Sequence, residues 1–178
     1  MERTYGEIME YIHYYESPLG TITMASDGEN LNGLWFQGQK YYASCLSENI
    51  EEKMLPIFEI CDKWLDIYFV GKEPDFMPKI AVTGTGTEFR KEVWEILLTI
   101  PYGKTMTYGE IANLLAEKRG VKRMSAQAVG GAVGHNPISI IIPCHRVIGA
   151  HGELTGYAGG VELKRKLLEF CPVWLQVG

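Results

Sequence analysis

The sequence predicts an α+β protein of two halves, strands first and helices after. Three observations carry that expectation. Before residue 77, short segments rich in β-branched and aromatic residues alternate with turn signals. Beyond residue 87, apolar residues recur at helical spacing behind capping residues. Between them, Met77-Pro-Lys-Ile-Ala-Val-Thr-Gly-Thr-Gly86 is a Pro- and Gly-bearing stretch at which the balance of charge changes sign.

Residues 11–15, 21–25 and 31–36 read as strands, punctuated by tight turns at Ser17-Pro18, Gly20 and Asp27-Gly28. A helix over about 54–70 is expected to pack on their sheet. Past the linker, Phe89, Val93, Ile96, Leu97 and Ile100 mark a helix behind a capping Thr87. Thr107-x-x-Glu110 is a capping box that opens a second helix, because each side chain can meet the other residue's backbone N–H. Ser125 can cap a third. The turn over 117–124 between the last two makes a helix-turn-helix reading reasonable. The chain shows no internal repeat and no low-complexity tract.

The third helix is chemically odd. Ala126, Ala128, Gly130, Gly131, Ala132 and Gly134 give it hardly any bulk, and each internal glycine costs about 1 kcal/mol of helix propensity against alanine. Two readings compete: close packing against another helix, or entry into the DNA minor groove, only about 6 Å wide.

With 178 residues, 46% of them hydrophobic, the chain can hold one ordinary core or two small ones. The first residues, Met1-Glu-Arg-Thr-Tyr-Gly-Glu, lack the basic and apolar regions of a signal peptide, and no apolar run approaches the roughly 18 residues that span a bilayer. A cytoplasmic protein with no membrane association is expected. Cys45, Cys61, Cys144 and Cys171 include no close-spaced pair, so no metal, cofactor or disulfide framework is indicated. The net charge of −5 is the wrong sign for binding phosphates, but residues 1–85 carry −8 and residues 86–178 carry +3. Basic side chains cluster at Lys118, Arg119, Lys122 and Arg123 and again at Lys164-Arg165-Lys166, which predicts modest, salt-sensitive affinity for nucleic acid.

Chemistry concentrates at Pro143-Cys144-His145-Arg146-Val147, behind the apolar run Ile138-Ser-Ile-Ile-Ile142. A free thiol, with a pKa of about 8.5, is mostly protonated at neutral pH, and a neighbouring imidazole is a common means of raising its thiolate fraction. Pro143 restricts Ile142 towards an extended conformation, so Cys144 is expected on a stiff turn leaving a buried strand-like segment. An isolated Cys-His pair is ordinarily just a small buried hydrophobe beside a surface residue.

The wider sequence changes that balance. Thr105-Met-Thr-Tyr-Gly-Glu-Ile-Ala112, Ser125-Ala-Gln-Ala-Val-Gly-Gly-Ala-Val-Gly-His-Asn-Pro137, the Pro143 to Val147 core, Gly156-Tyr-Ala-Gly-Gly160 and Lys164-Arg-Lys-Leu-Leu168 together resemble, in order, the O6-alkylguanine-DNA alkyltransferase family. Tyr15-Glu-Ser-Pro-Leu-Gly20 and Leu34-Trp-Phe36 are similar to its first domain. The resemblance implies a small ribonuclease H-like antiparallel-sheet domain over 1–80 and a helix-turn-helix, winged-helix-like alkyltransferase domain over 81–178. It implies direct DNA repair by a monomer: a single irreversible transfer from O6-alkylguanine, and from O4-alkylthymine, in double-stranded DNA.

The same resemblance assigns roles. The base is flipped out of the stack, with Tyr108 crowding the adjacent phosphate and Gln127 standing where the family intercalates an arginine. A neutral amide there implies weaker flipping. Ala128, Gly130 and Gly131 follow on the minor-groove helix, and Arg146 belongs with the DNA and base contacts. Tyr108 donates to purine N3, the Val147 carbonyl accepts from the exocyclic amine, and the backbone N–H groups of Cys144 and Ala158 reach O6. Asn136 braces the turn of Cys144, while Tyr157 and Gly159 close the far wall. His145 withdraws the Cys144 proton through a water. The family's relay glutamate position is occupied by Cys171, and Glu169 is rotated about 200° from that face of the helix. Two other functions compete: a non-catalytic lesion-binding protein, against which the intact Cys144 argues, and a Cys-His acyl hydrolase, for which no orienting acid or nucleophile elbow is present.

Overall fold

The computed structural model describes residues 9–40, 42, 43, 46–82 and 86–171. Strands β1 (Glu10–Ser17), β2 (Gly20–Ser26), β3 (Leu31–Phe36) and β4 (Ile50–Glu52) form one sheet in the order β3-β2-β1-β4. The three long strands are antiparallel, as their alternation and turn residues predict. β4 adds a short parallel edge against β1. Its three residues are all exposed, so it has no hydrophobic pattern to read. β2 and β3 are covered on both faces. Ile22, Met24, Leu34 and Phe36 enter the main core, whereas Ala25 and Trp35 join Ile12 in a small cluster on the other side.

α1 (Pro56–Phe69) begins with proline at a position where a missing N–H costs nothing. Ile57, Phe58, Cys61, Trp64, Leu65, Tyr68 and Phe69 make up its buried face. Two hydrogen bonds pin it to β1: His13 Nε2 with Asp62 at 2.9 Å, and the Tyr15 hydroxyl donating to Asp66 at 2.5 Å.

The second half contains α2 (Glu88–Leu97), β5 (Met106–Thr107), α3 (Tyr108–Arg119), α4 (Ala126–Gly134), a 3-10 turn (Cys144–Arg146), β6 (Val147–Ile148) and α5 (Val161–Glu169). Thr87, Thr107 and Ser125 cap their helices as expected, and Thr107 forms a full capping box with Glu110. α2 stops at Leu97, short of Ile100, which is buried in the turn before Pro101. The apolar run 138–142 is not a strand: Ile138 makes a single bridge to Leu34, and the chain then turns through Ile140 at φ 68°. A β-branched residue in that region carries strain of order 1–3 kcal/mol, offset here by complete burial.

The halves share a core that runs unbroken from Ile22 to Leu167. Backbone bonds stitch them together. The Leu34 amide donates to the Pro137 carbonyl and the Ser139 amide to the Leu34 carbonyl, both at 2.9 Å, and Leu31 pairs with the chain on either side of Ile80. No helix among the described residues is long and apolar enough to cross a membrane.

Candidate active site

Cys144 opens the 3-10 turn that leaves the 138–142 segment, and Asn136 holds that segment in shape. The Asn136 amide donates to the carbonyls of Ile138 at 3.1 Å and Ile142 at 2.9 Å, and its oxygen accepts from the Ile138 amide at 3.0 Å. All these groups are buried, so the side chain supplies what a strand partner would otherwise provide. The same amide reaches the Cys144 thiol and favours its charged form.

β5 pairs in parallel with β6, Met106 opposite Val147 and Thr107 opposite Ile148. Because β5 runs directly into α3, this pairing sets Tyr108 beside the turn, with Val147 buried beneath. The Tyr108 hydroxyl donates to the Thr155 carbonyl at 2.8 Å, and Lys164 Nζ donates to the same carbonyl at 2.9 Å. Gly156 is needed here: its φ is 72°, and a Cβ would stand 2.9 Å from the Tyr108 hydroxyl oxygen. Tyr157 is buried, its hydroxyl approached by Ser139 without a hydrogen bond of full geometry.

Burial dominates the electrostatics. It raises the Cys144 thiol above its ordinary pKa, while Asn136, the Lys164 ammonium and the local backbone N–H groups work the other way. Burial also holds His145 well below the usual imidazole range, helped by the nearby charges of Arg146 and Lys164. The resting pair is therefore a thiol and a neutral imidazole, not the preformed ion pair that adjacency in sequence suggests. Lys164, fully buried, is pushed down to about 8 by desolvation, with Cys144 pulling the other way.

Cys171 and Arg146 each have a partner within the protein. Cys171 does not meet His145; its thiol lies against Tyr102. His145 Nε2 is met instead at 3.1 Å by the Tyr68 hydroxyl, which comes from α1 of the first half. Arg146 is held by the connection after α2. Its guanidinium donates to the Ile100 carbonyl at 3.0 Å and lies over the Tyr102 ring, so it ties the α2–β5 connection to the active-site turn. Glu169 faces outward onto Arg165, as its rotation along α5 predicts.

α4 lies between this centre and solvent. Val129, Ala132 and Val133 face α2 and α3, and Trp94 Nε1 donates to the Ala132 carbonyl at 2.8 Å. Gln127, Ala128 and Gly131 are exposed. A cavity of about 230 Å³ opens between Gly130, Gly131 and Gly134 of α4 and the Gly156, Tyr157 and Ala158 wall, with Lys40 at its edge. The Lys40 amide donates to the Ala158 carbonyl at 2.9 Å, and Gly159 continues the wall, half-buried.

The glycines of α4 separate the two readings of that helix. A Cβ at Gly131 or Gly134 would meet nothing within 4 Å, and one at Gly130 would only touch the Tyr108 ring at 3.9 Å. Helix packing does not require them. Gly131→Ala is therefore expected to stabilise the fold by up to about 1 kcal/mol in urea denaturation while weakening duplex DNA binding. Loss of stability, or unchanged DNA affinity, would contradict that reading.

The basic clusters are less available than the sequence suggests. Lys118 and Arg119 pair with Glu95 and Glu92 of α2, Arg165 pairs with Glu162 and Glu169, and Lys164 is buried. Lys122 and Arg123 are exposed, with no ion pair among the described residues.

Two sequence profiles match the chain: "6-O-methylguanine DNA methyltransferase, ribonuclease-like domain" over residues 11–82 and "6-O-methylguanine DNA methyltransferase, DNA binding domain" over residues 88–170. A methylated-DNA--protein-cysteine methyltransferase of Mycobacterium tuberculosis is 44% identical over 160 residues, 89% of this chain and 91% of that one. One from Methanosarcina acetivorans is 42% identical over 159 residues, 89% of this chain and 96% of that one. The crystal structure of the M. tuberculosis OGT in complex with DNA superposes with a TM-score of 0.75 at 39% identity, covering 96% of this chain and 99% of that one.

Proposed function

The chain belongs to the 6-O-methylguanine DNA methyltransferase family, and from that premise we propose that Cys144 takes an alkyl group directly from O6 of guanine in DNA. The protein is a DNA-repair alkyltransferase that works once. A carbon–sulfur bond forms at Cys144 as the carbon–O6 bond breaks. The electron pair leaves with O6, and the thiol proton balances the guanine anion. A thioether has no route back to thiol at this site, so each chain is consumed. O4-alkylthymine is a second substrate of the same chemistry.

The observation that carries this reading is a buried cysteine on an Asn136-braced turn, set behind a helix whose glycines the fold does not require. The helix lies in the minor groove, Gln127 fills the gap left by the flipped base, and Tyr108 exchanges its bond to Thr155 for one to purine N3. The Val147 carbonyl reads the exocyclic amine, and the Cys144 and Ala158 amides reach O6. Residues 1–80 support the site and residues 81–178 bind DNA and react. The protein acts as a monomer in the cytoplasm without a cofactor.

The test is intact mass after incubation with a duplex carrying one O6-methylguanine. One methyl group should move to the protein, and unmodified guanine should reappear, stopping at one per chain. Tight binding with no mass gain would mean a lesion-binding protein without transfer, and ester hydrolysis would mean an acyl hydrolase.

The rate should rise with pH between 6 and 9. Burial places the Cys144 thiol above its ordinary range, so thiolate is scarce at neutrality and grows as pH climbs. His145 is neutral throughout and adds no falling limb. Lys164 loses its charge near pH 8, which removes a cation that favours thiolate, so the slope should lessen there. A bell-shaped profile with its maximum below pH 7 would mean that protonated His145 is required.

A further inference from the structure

We infer that Tyr68 is the positioning residue for His145 and occupies the role that a relay carboxylate would otherwise play. The inference rests on the transferase reading above and names the group that makes His145 a base. The Tyr68 hydroxyl has one proton, and the Leu167 carbonyl, 2.7 Å away, can only accept it. The remaining contact, 3.1 Å to His145 Nε2, must then run the other way, with Nε2–H donating to the tyrosine oxygen. A neutral imidazole carries a single ring proton. With that proton on Nε2, Nδ1 is bare, and Nδ1 is fully buried with no hydrogen-bond partner among the described residues. Nδ1 is thus the one position on the ring that can take the Cys144 proton, and since no hydrogen bond joins the two groups directly a water carries it: the S–H bond breaks, the water takes that proton and gives one of its own to Nδ1, and the electron pair stays on sulfur.

Tyr68 is itself held firmly. It is 1% exposed, stacks on Trp64 at 5.6 Å and meets Phe69 and the His145 ring edge-on. The charged and titratable groups around the pair are Arg146, Lys164 and Cys144 facing His145, and Arg146, Cys171 and Tyr102 facing Tyr68. None of these is a carboxylate. The partner of the imidazole is therefore neutral, which favours a base that accepts a proton only as the alkyl group moves and does not store it.

The test uses the full-length chain. In 15N-labelled wild-type protein, long-range ring correlations assigned by a His145→Asn variant should show His145 as the Nε2–H tautomer alone. Tyr68→Phe, which keeps every ring contact, should give mixed tautomers. It should also slow benzyl transfer from O6-benzylguanine at pH 7 by about tenfold or more, while the final yield stays at one benzyl group per chain. Nδ1–H in the wild type overturns the inference without any variant having to fold. A Tyr68→Phe protein with unchanged tautomer and rate also overturns it. No benzyl adduct in the wild type would instead defeat the transferase reading itself.

Discussion

Replacing Cys144 by serine is expected to abolish alkyl transfer completely, with one retained group per chain falling to none in intact mass. The exchange is nearly isosteric, and the Asn136 brace and the strand pair β5–β6 do not depend on sulfur, so the fold should persist. The chemistry should not. An alcohol is far harder to ionise than a thiol, and the neutral, desolvated imidazole of His145 is too weak a base to remove its proton. No other described cysteine can substitute. Cys61 is buried in the face of α1, its thiol pushed up to about 12 by desolvation, and Cys171 is buried against Tyr102. Peptide mapping after exposure to O6-benzylguanine checks all four positions, including Cys45, which lies outside the described residues. A stable adduct on any of the other three would remove Cys144 from its assigned role.

Asn136→Ala should have the largest effect on stability of any change confined to the site. It orphans the buried Ile138 amide and removes one of two donors from each of the Ile138 and Ile142 carbonyls, which keep the Ile142 and Cys144 amides. One orphaned amide at about 1–3 kcal/mol and two lost secondary bonds at about 0.5 kcal/mol each make the loss roughly 2–4 kcal/mol, a large share of the 5–15 kcal/mol available to an ordinary domain. Urea denaturation should show it as a lower midpoint with an unchanged slope. The folded fraction should also need higher pH for transfer, since the amide favours thiolate. A loss below about 1 kcal/mol would mean that the turn holds its shape without Asn136.

The helices and long strands were legible because local chemistry specifies them. Thr87, Thr107 and Ser125 announce helix starts, and the β-branched alternation before residue 36 announces strands. What was missed depends on contacts between residues far apart in sequence. Tyr68 reads as one more ring on the apolar face of α1, and its hydroxyl finds His145 only because α1 packs beneath a turn 77 residues later. The available signal was a phenol on a buried stripe, which must hydrogen-bond to something. Arg146 is a second case: a cation within a reactive motif suggests a DNA contact, and its bond to the Ile100 carbonyl could not be read from the sequence. The run 138–142 misled through composition, because four isoleucines suggest a strand even when Asn136 and Ser139 supply the bonds of a turn.

The continuous core has a consequence for how the chain behaves as a folding unit. The ribonuclease-like and DNA-binding segments are separable as sequence modules, yet β3 supplies hydrogen bonds to the segment before Cys144, and α1 supplies the phenol beneath His145. Cutting near residue 82 would expose Leu34 and Tyr68 on one side and Ile138 and Leu167 on the other, each at most 1% exposed now. The boundary between the modules is thus one of sequence pattern, and neither segment alone carries the contacts that hold the reactive centre.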